Sequence, residues 1–258
     1  MSFPKEFVWG AAAASYQIEG GAYDDDKGLS VWDMMCRQPG RVYGGHTGEV
    51  ACDHYNRYRE DVALMQEMGL MAYRLSVSWP RVLPAGTGAI NEKGLSFYDR
   101  LVDALLEADI VPHITLFHWD FPHELYCRGG WLNPDSQEWF AEYTAVLVDR
   151  LSDRVRHWMT LNEPQCFIGL GMLEGTHAPG DKQGLAEALR AGHHALLAHG
   201  RSVQVIRARA KSEPIVGYAP TGTPVMPQDE SDPENVEAAR RAMFAVKNRN
   251  CWNISWWS

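Results

Sequence analysis

Short runs of apolar residues alternate with longer amphipathic segments along this chain. Five runs are apolar at nearly every position and close on polar or aromatic groups, which is the pattern of strands buried on both faces. They cover residues 7–14, 71–80, 110–120, 157–163 and 213–220. Apolar residues at helical spacing predict helices that follow Asp53, Asn91 and Asn133 as caps, and two more helices over residues 185–208 and 233–247.

Two long connections interrupt this alternation. Residues 20–48 are rich in glycine and aspartate. Long loops in compact domains are usually functional or disordered, and the embedded Trp32 favours an ordered one. Residues 169–180 are rich in glycine and are predicted to form a second loop.

The alternation of strand and helix predicts parallel strands joined by helical crossovers. A doubly wound sheet usually carries a glycine-rich phosphate-binding turn after its first strand, and no such motif occurs around Gly20 and Gly21. A (β/α)8 barrel instead gathers polar groups at the carboxyl ends of its strands. This chain has such groups at Gln17, Ser78–Trp79, His118–Trp119 and Asn162–Glu163. The predicted fold class is therefore α/β, a (β/α)8 TIM barrel.

The strand count indicates that this barrel is incomplete. A full barrel needs eight strands, whereas the pattern predicts about five βα units in 258 residues. The sequence also closes on an aromatic run, residues 250–258, where natural termini are usually more polar. We therefore expect residues 1–258 to form a single barrel domain that is truncated at its C-terminal end.

Glu163 is the principal candidate for chemistry. Pro164 cannot donate a ladder hydrogen bond and biases Glu163 away from the helical region, so we expect an extended carboxylate residue at a strand tip. Ligands of parallel α/β proteins bind at such tips, where a fixed carboxylate can serve as proton donor or nucleophile. The alternative is a solvated glutamate without a function. Arg74 lies inside an apolar strand and is expected to form a buried ion pair with a carboxylate.

Composition excludes several classes of partner. The net charge is −9 and the pI about 5.6, so neither nucleic acid nor an anionic membrane is expected as a partner. The five cysteines are widely spaced without a CxxC pair, which indicates reduced thiols rather than disulfides or a zinc site. No signal peptide is visible, so a cytoplasmic location is expected. No metal or cofactor is expected.

Six separate motifs lie along this chain. The motif that contains Glu163 is Thr160-Leu161-Asn162-Glu163-Pro164. The others are Phe7-Val8-Trp9-Gly10, Ser15-Tyr16-Gln17-Ile18-Glu19-Gly20, Tyr73-Arg74-Leu75-Ser76-Val77-Ser78-Trp79-Pro80-Arg81, Leu116-Phe117-His118-Trp119-Asp120 and His177-Ala178-Pro179-Gly180. In this order and spacing, the motifs resemble those of glycoside hydrolase family 1.

The resemblance implies a (β/α)8 barrel that cleaves β-glycosides with retention, similar to a bacterial β-glucosidase. The implied substrates are β-glucosides and cello-oligosaccharides, as in cellulose degradation. The residues it assigns are Glu163 as general acid/base, Gln17, His118, Trp119 and Asn162 as substrate-binding residues, and Arg74 as support for the nucleophile. Gln165 stands where some members of the family have a tryptophan beside the leaving-group site.

The family's nucleophile lies in a later Thr/Ser-Glu-Asn-Gly motif, and no such motif occurs in this sequence. The chain therefore resembles the N-terminal portion of such an enzyme, expected to pair with a C-terminal segment or with a second copy through its open sheet edges. The alternatives are an inactive sugar-binding or self-assembling module, and a relative that acts on β-galactosides or 6-phospho-β-glucosides.

Overall fold

Five parallel strands form one sheet in which neighbours in space are also neighbours in sequence. The computed structural model describes residues 3–222 and 224–244. Its strands are β1 (Gly10–Ala12), β2 (Ala72–Ser76), β3 (Val111–Phe117), β4 (His157–Asn162) and β5 (Ile215–Ala219), in the order β1-β2-β3-β4-β5. A doubly wound sheet would reverse its strand order. The predicted barrel architecture is therefore confirmed, with five of its strands in place.

The sheet is open at both sides. Among the described residues β1 pairs with β2 alone and β5 with β4 alone, and all pairs are parallel. All three residues of β1 are exposed. The outer edges of β1 and β5 therefore present backbone groups that a closed barrel would pair.

Helices cross between the strands and surround the sheet. They are α1 (Ser15–Ile18), α2 (Val31–Cys36), α3 (His54–Glu67), α4 (Trp79–Val82), α5 (Glu92–Glu107), α6 (His123–Cys127), α7 (Ser136–Leu151), α8 (Leu185–Arg209) and α9 (Pro233–Met243). Single turns of 3-10 helix cover Asp24–Asp26, Tyr43–Gly45 and Gly130–Leu132, and a π-helical segment covers Gln165–Glu174.

The core lies between the sheet and the helices that the pattern predicted. The predicted stripes of α5 and α7 are buried along their whole length: Leu95, Tyr98, Val102 and Leu105, then Phe140, Tyr143, Leu147 and Leu151. Trp79 stacks on Tyr143 with ring centroids 5.0 Å apart. Burial of each such side chain contributes about 1.5–3 kcal/mol to folding, so these stripes fix the helices that flank β2, β3 and β4.

Several predicted boundaries differ from the structure. The first strand is shorter than predicted because residues after Ala14 turn into α1, and the second ends at Ser76 because Trp79 opens α4 with a proline in its first turn. The predicted loop over residues 20–48 contains α2, and much of the one over residues 169–180 is the π-helical segment. The residue at the N-cap of α7 is Asp135 rather than Asn133, and the carboxamide oxygen of Asn133 accepts from the backbone N–H of Asp135.

The structure contradicts the predicted buried ion pair of Arg74. Within residues 3–222 and 224–244, no carboxylate lies within ion-pair distance of the half-buried Arg74. Arg81 forms a buried pair with Glu19 instead: its Nε lies 3.0 Å from Glu19 Oε2, and Arg81 is 0% exposed. Tyr98 donates to the other oxygen of Glu19 at 2.7 Å, so the carboxylate is satisfied on both sides.

Three predictions fall partly or wholly on residues that the structure does not describe. The helix predicted over residues 233–247 is present as α9, but its last predicted residues lie outside the described ranges. The aromatic run over residues 250–258 and the fifth cysteine, Cys251, lie outside them as well.

Candidate active site

The candidate site lies where β2, β3 and β4 end. Arg74 comes from β2, His118 and Trp119 follow β3, and Asn162 is the last residue of β4, directly before Glu163. Parallel strands bring these carboxyl ends to one edge of the sheet. The structure therefore brings together five of the six residues that the sequence singled out.

Asn162 is the centre of this cluster. It is 3% exposed. Its Oδ1 accepts from Arg74 Nη2 at 2.6 Å, and its Nδ2 lies 3.1 Å from His118 Nε2. Arg74 is also held by Thr115, whose Oγ1 accepts from Arg74 Nε at 2.9 Å. Because a guanidinium only donates, the amide oxygen must face Arg74 and the amide nitrogen must face His118.

His118 is consequently a neutral hydrogen-bond acceptor at Nε2. An amide nitrogen can only donate, so Nε2 carries no proton and the ring proton resides on Nδ1. Burial, together with the nearby charge of Arg74, lowers the pKa of His118 to about 4. Burial likewise lowers the pKa of Arg74, while the Glu163 carboxylate opposes that shift. At neutral pH Arg74 is therefore the cation of this cluster, and His118 is neutral.

Trp119 and Glu163 both adopt left-handed backbone angles, with φ values of 78° and 44°. Bulky residues rarely occupy this region, and each such residue costs about 1–3 kcal/mol. Trp119 is held there by its indole Nε1, which donates to the backbone oxygen of Asn162 at 2.9 Å. The prediction of an extended Glu163 is therefore wrong: the residue follows β4 as expected, but the chain turns sharply at it.

Glu163 is held by its backbone and by a neighbouring thiol. Its N–H donates to Ala219 of β5 at 2.8 Å, and its carbonyl accepts from the Cys166 N–H at 2.8 Å. Cys166 Sγ donates to Glu163 Oε2 at 3.3 Å. The carboxylate is partly exposed at this edge of the sheet, so it can meet a ligand while its backbone stays fixed.

Gln17 stands apart from the other five residues. It lies on α1, after β1, and its side chain is exposed. Within the described residues no hydrogen bond joins it to Arg74, His118, Asn162 or Glu163. Its helix is anchored at the same end of the sheet, because Ser15 Oγ donates to Asp120 Oδ2 at 3.0 Å.

Sequence reasoning missed two residues that shape this site, Thr115 and Cys166, and it placed a third, Gln165, beside the leaving group. Thr115 occupies the interior of β3, where alternation marked it only as a polar break in an apolar run. Cys166 follows Glu163 by three residues, a spacing at which one helical turn brings two side chains together. Nothing in the sequence indicated that turn, so the contact between the Cys166 thiol and Glu163 was not predicted. Gln165 is fully buried, although its sequence position suggested the leaving-group side of the site.

The comparison with protein families identifies the chain. The model of glycosyl hydrolase family 1 matches residues 1–254. This chain belongs to glycosyl hydrolase family 1. Family-1 relatives with curated names include a 1,4-β-D-glucan glucohydrolase of Thermotoga neapolitana, which is 48% identical over 238 residues, 92% of this chain and 55% of that protein. Beta-glucosidase A of Thermotoga maritima is 50% identical over 209 residues, 81% of this chain and 47% of that protein.

Solved family-1 structures agree with the fold. The family 1 β-glucosidase from Thermotoga maritima superposes with a TM-score of 0.87 at 46% identity, over 94% of this chain and 54% of that one.

A relative in sequence has a different name: an aryl-phospho-β-D-glucosidase of Bacillus subtilis is 44% identical over 99% of this chain and 52% of its own length. The chain thus spans about half the length of the curated relatives it matches.

The described part of the family-1 chain, residues 3–222 and 224–244, has neither a cluster of metal ligands nor a helix able to cross a bilayer. No group of three or more histidine, cysteine, aspartate or glutamate side chains there is arranged to hold a metal ion. None of the helices in those ranges combines the length and the apolarity that crossing a bilayer requires.

Proposed function

We propose that this chain supplies the acid/base half of the active site of a retaining β-glucosidase, which removes terminal β-D-glucosyl residues from β-glucosides and cello-oligosaccharides. The observation that carries the proposal is the Arg74–Asn162–His118 hydrogen-bond chain, whose central residue directly precedes Glu163 at the end of β4. The names of the family-1 relatives, β-glucosidase and glucan glucohydrolase, support the reaction.

Glu163 acts in both steps of the proposed reaction. In the first step its carboxyl group protonates the glycosidic oxygen as the bond to the anomeric carbon breaks, while a second carboxylate attacks that carbon. In the second step ionised Glu163 removes a proton from water, which attacks the anomeric carbon and releases the second carboxylate. Retention of configuration follows from the two successive displacements.

Four residues bind the sugar in this proposal. Asn162 Nδ2 turns from His118 to the 2-hydroxyl, a contact that strengthens in the transition state. His118 and Gln17 bind other hydroxyls, and the ring of Trp119 forms one side of the pocket. Arg74 keeps the Asn162 carboxamide oriented and holds a positive charge where the nucleophile must stay ionised.

The nucleophile has to come from a segment that this sequence does not contain. Retaining glycosidases place their two carboxyl groups about 5–5.5 Å apart, and the sequence lacks the Thr/Ser-Glu-Asn-Gly motif of the family. We propose that a complementary segment with the remaining strands pairs with the open edges of β1 and β5. The competing candidate is a self-assembling module, in which the same edges pair with a second copy.

The substrate and the cellular location are also part of the proposal. A β-glucoside is favoured over a 6-phospho-β-glucoside because several relatives are β-glucosidases, although one acts on aryl-phospho-β-D-glucosides. Widely spaced cysteines without a CxxC pair favour a reducing compartment, so we place the enzyme in the cytoplasm.

A fusion protein tests this function. The 258-residue chain is joined to the part of Thermotoga maritima β-glucosidase A that lies beyond the matched region, and hydrolysis of an aryl β-glucoside is measured for the fusion and for the chain alone. We expect turnover by the fusion in the range of about 1–10³ s⁻¹ and none by the chain alone. A folded but inactive fusion, or turnover in that range by the lone chain, would overturn the proposal.

Two parallel measurements separate the competing candidates. Competing hydrolysis of an aryl β-glucoside and its 6-phosphate decides the substrate class; a preference for the phosphate would contradict the proposed one. Light scattering of the lone chain over a range of concentrations tests the module. A stable homo-oligomer without activity in the fusion would favour self-assembly over catalysis.

A further inference from the structure

The side chain of Gln165 continues the pairing between β4 and β5 beyond the end of both strands. Gln165 is 0% exposed. Its Nε2 donates to the carbonyl of Thr221 at 2.5 Å, and its Oε1 accepts from the N–H of the same residue at 3.3 Å. One carboxamide therefore satisfies both backbone groups of a residue in the loop after β5.

This pairing follows directly on the last backbone contact of the sheet. Asn162 is in register with Ala219, and the Glu163 N–H donates to the Ala219 carbonyl at 2.8 Å. A regular parallel ladder would next use backbone groups two residues further along each strand. The left-handed angle of Glu163 and the helical segment that begins at Gln165 end this backbone ladder after Glu163. The Gln165 carboxamide occupies the place of the missing backbone peptide.

The two contacts enclose Glu163 from both sides. The Ala219 contact holds its N–H, and the Thr221 contact holds the side chain two residues later. The Glu163 carbonyl is meanwhile bonded to the Cys166 N–H. A strained backbone conformation persists only where the surrounding contacts hold it in place. The hydrogen bonds to Ala219, Cys166 and Thr221 hold Glu163 in this way.

We propose that Gln165 is a positioning residue for proton transfer, which holds Glu163 at the glycosidic oxygen by tying its backbone to the loop after β5. This inference rests on the proposed function. Because the carboxamide is buried and both of its ends are bonded to Thr221, Gln165 acts through Glu163 and not by contact with the sugar. A general acid must lie within about 2.6–3.2 Å of the atom that it protonates, so a small shift of Glu163 affects this step first.

The dependence of kcat/KM on the leaving group distinguishes this positioning role from a general structural one. A dinitrophenolate leaves without protonation, whereas a phenolate or an alcohol needs the acid. Loss of the Gln165 contacts should therefore slow the cleavage of substrates with poor leaving groups and spare those with good ones. A change that merely loosens the fold or the sugar pocket would slow both alike.

The test uses Gln165→Met, which keeps the length of the side chain and removes both hydrogen bonds, in the fusion described above. We expect kcat/KM for phenyl β-glucoside to fall by about 10- to 100-fold, while that for dinitrophenyl β-glucoside stays within about threefold. Gln66→Met, the same change at an exposed position of α3, is the matched control and should alter neither. An equal loss on both substrates, or no loss on either, would overturn the inference.

Hydrogen exchange on the 258-residue chain gives a readout that needs no activity. The Glu163 amide should exchange at least about tenfold faster in Gln165→Met than in Gln66→Met, because its partner loop is released. Unchanged exchange at this amide would overturn the coupling. An inactive unmodified fusion would count against the proposed function, whereas the exchange measurement would still decide whether Gln165 holds Glu163.

Discussion

Arg74 donates to the carboxamide oxygen of Asn162 at 2.6 Å across two strand boundaries, from β2 past β3 to the end of β4. This hydrogen bond fixes which end of the amide faces His118, and through it the protonation of the imidazole. The buried Asn162 carboxamide thus joins the permanently charged Arg74 to the neutral imidazole of His118. A substitution at either residue has a measurable consequence.

Replacement of Arg74 should destabilise the chain. Arg74→Met leaves the oxygen of Asn162, which is 3% exposed, without its donor. A buried acceptor without a partner costs about 1–3 kcal/mol, so we expect the free energy of unfolding in urea to fall by that amount. Arg207→Met, at an exposed position of α8, is the control and should have little effect. An unchanged free energy for Arg74→Met would contradict the assigned contact.

Glu163→Gln should remove acid and base catalysis from the fusion. General acid–base catalysis contributes about 10²–10⁴-fold, so kcat/KM for phenyl β-glucoside should fall by that factor and that for dinitrophenyl β-glucoside far less. Azide needs no base to attack the glycosyl–enzyme bond, so it should restore turnover and yield the β-glucosyl azide. Glu124→Gln, at an exposed position of α6, is the control. Absence of the azide product would count against the role of Glu163.

His118 should make the stability of the chain depend on pH. Its pKa is lowered from 6.5 to about 4 in the folded state, so the unfolded chain binds more protons between these values. Stability from this group is complete above pH 6.5 and falls as the pH drops toward 4, by up to about 3 kcal/mol. The unfolding free energy of the unmodified chain relative to that of His118→Gln should therefore fall by up to this amount as the pH drops from 6.5 to 4. A constant difference between them across this range would refute the assignment.

Asp120 should make the chain less stable as the pH rises, which is the opposite of the effect of His118. This fully buried carboxyl group has its pKa raised to about 7 by burial, against the hydrogen bonds from Ser78 and Ser15. The folded state holds the proton between 3.8 and about 7, so its contribution is complete at low pH and is lost as the pH rises.

Asp120→Asn removes that dependence. At about pH 8 the variant should be more stable than the unmodified chain by about 2–4 kcal/mol, because no buried charge has to form. At about pH 4 the two should be nearly equal, since both side chains are neutral there. The free energy of unfolding at both pH values decides the matter, and equal stability at the higher pH would contradict an ionised, buried Asp120.

The sequence by itself determined the layers of this protein. Alternation of apolar runs with amphipathic segments predicted parallel strands and flanking helices. A strand buried on both faces is apolar at nearly every position, whereas a helix buried along one stripe is apolar at every third or fourth position. The stripes of α5 and α7 were right for that reason, as was the order of the strands along the barrel. The polar groups at the strand ends also indicated the edge at which the candidate site lies.

The tertiary structure alone decided which of those groups touch. Among the described residues Arg74 donates to the amide of Asn162 and the hydroxyl of Thr115 rather than to a carboxylate, and Arg81 forms a buried ion pair. The left-handed turn at Glu163 and the role of Gln165 as a substitute for a backbone peptide were also not predictable from periodicity. Local patterns record burial, whereas hydrogen-bond partners depend on residues that are distant in sequence and meet only when the sheet assembles.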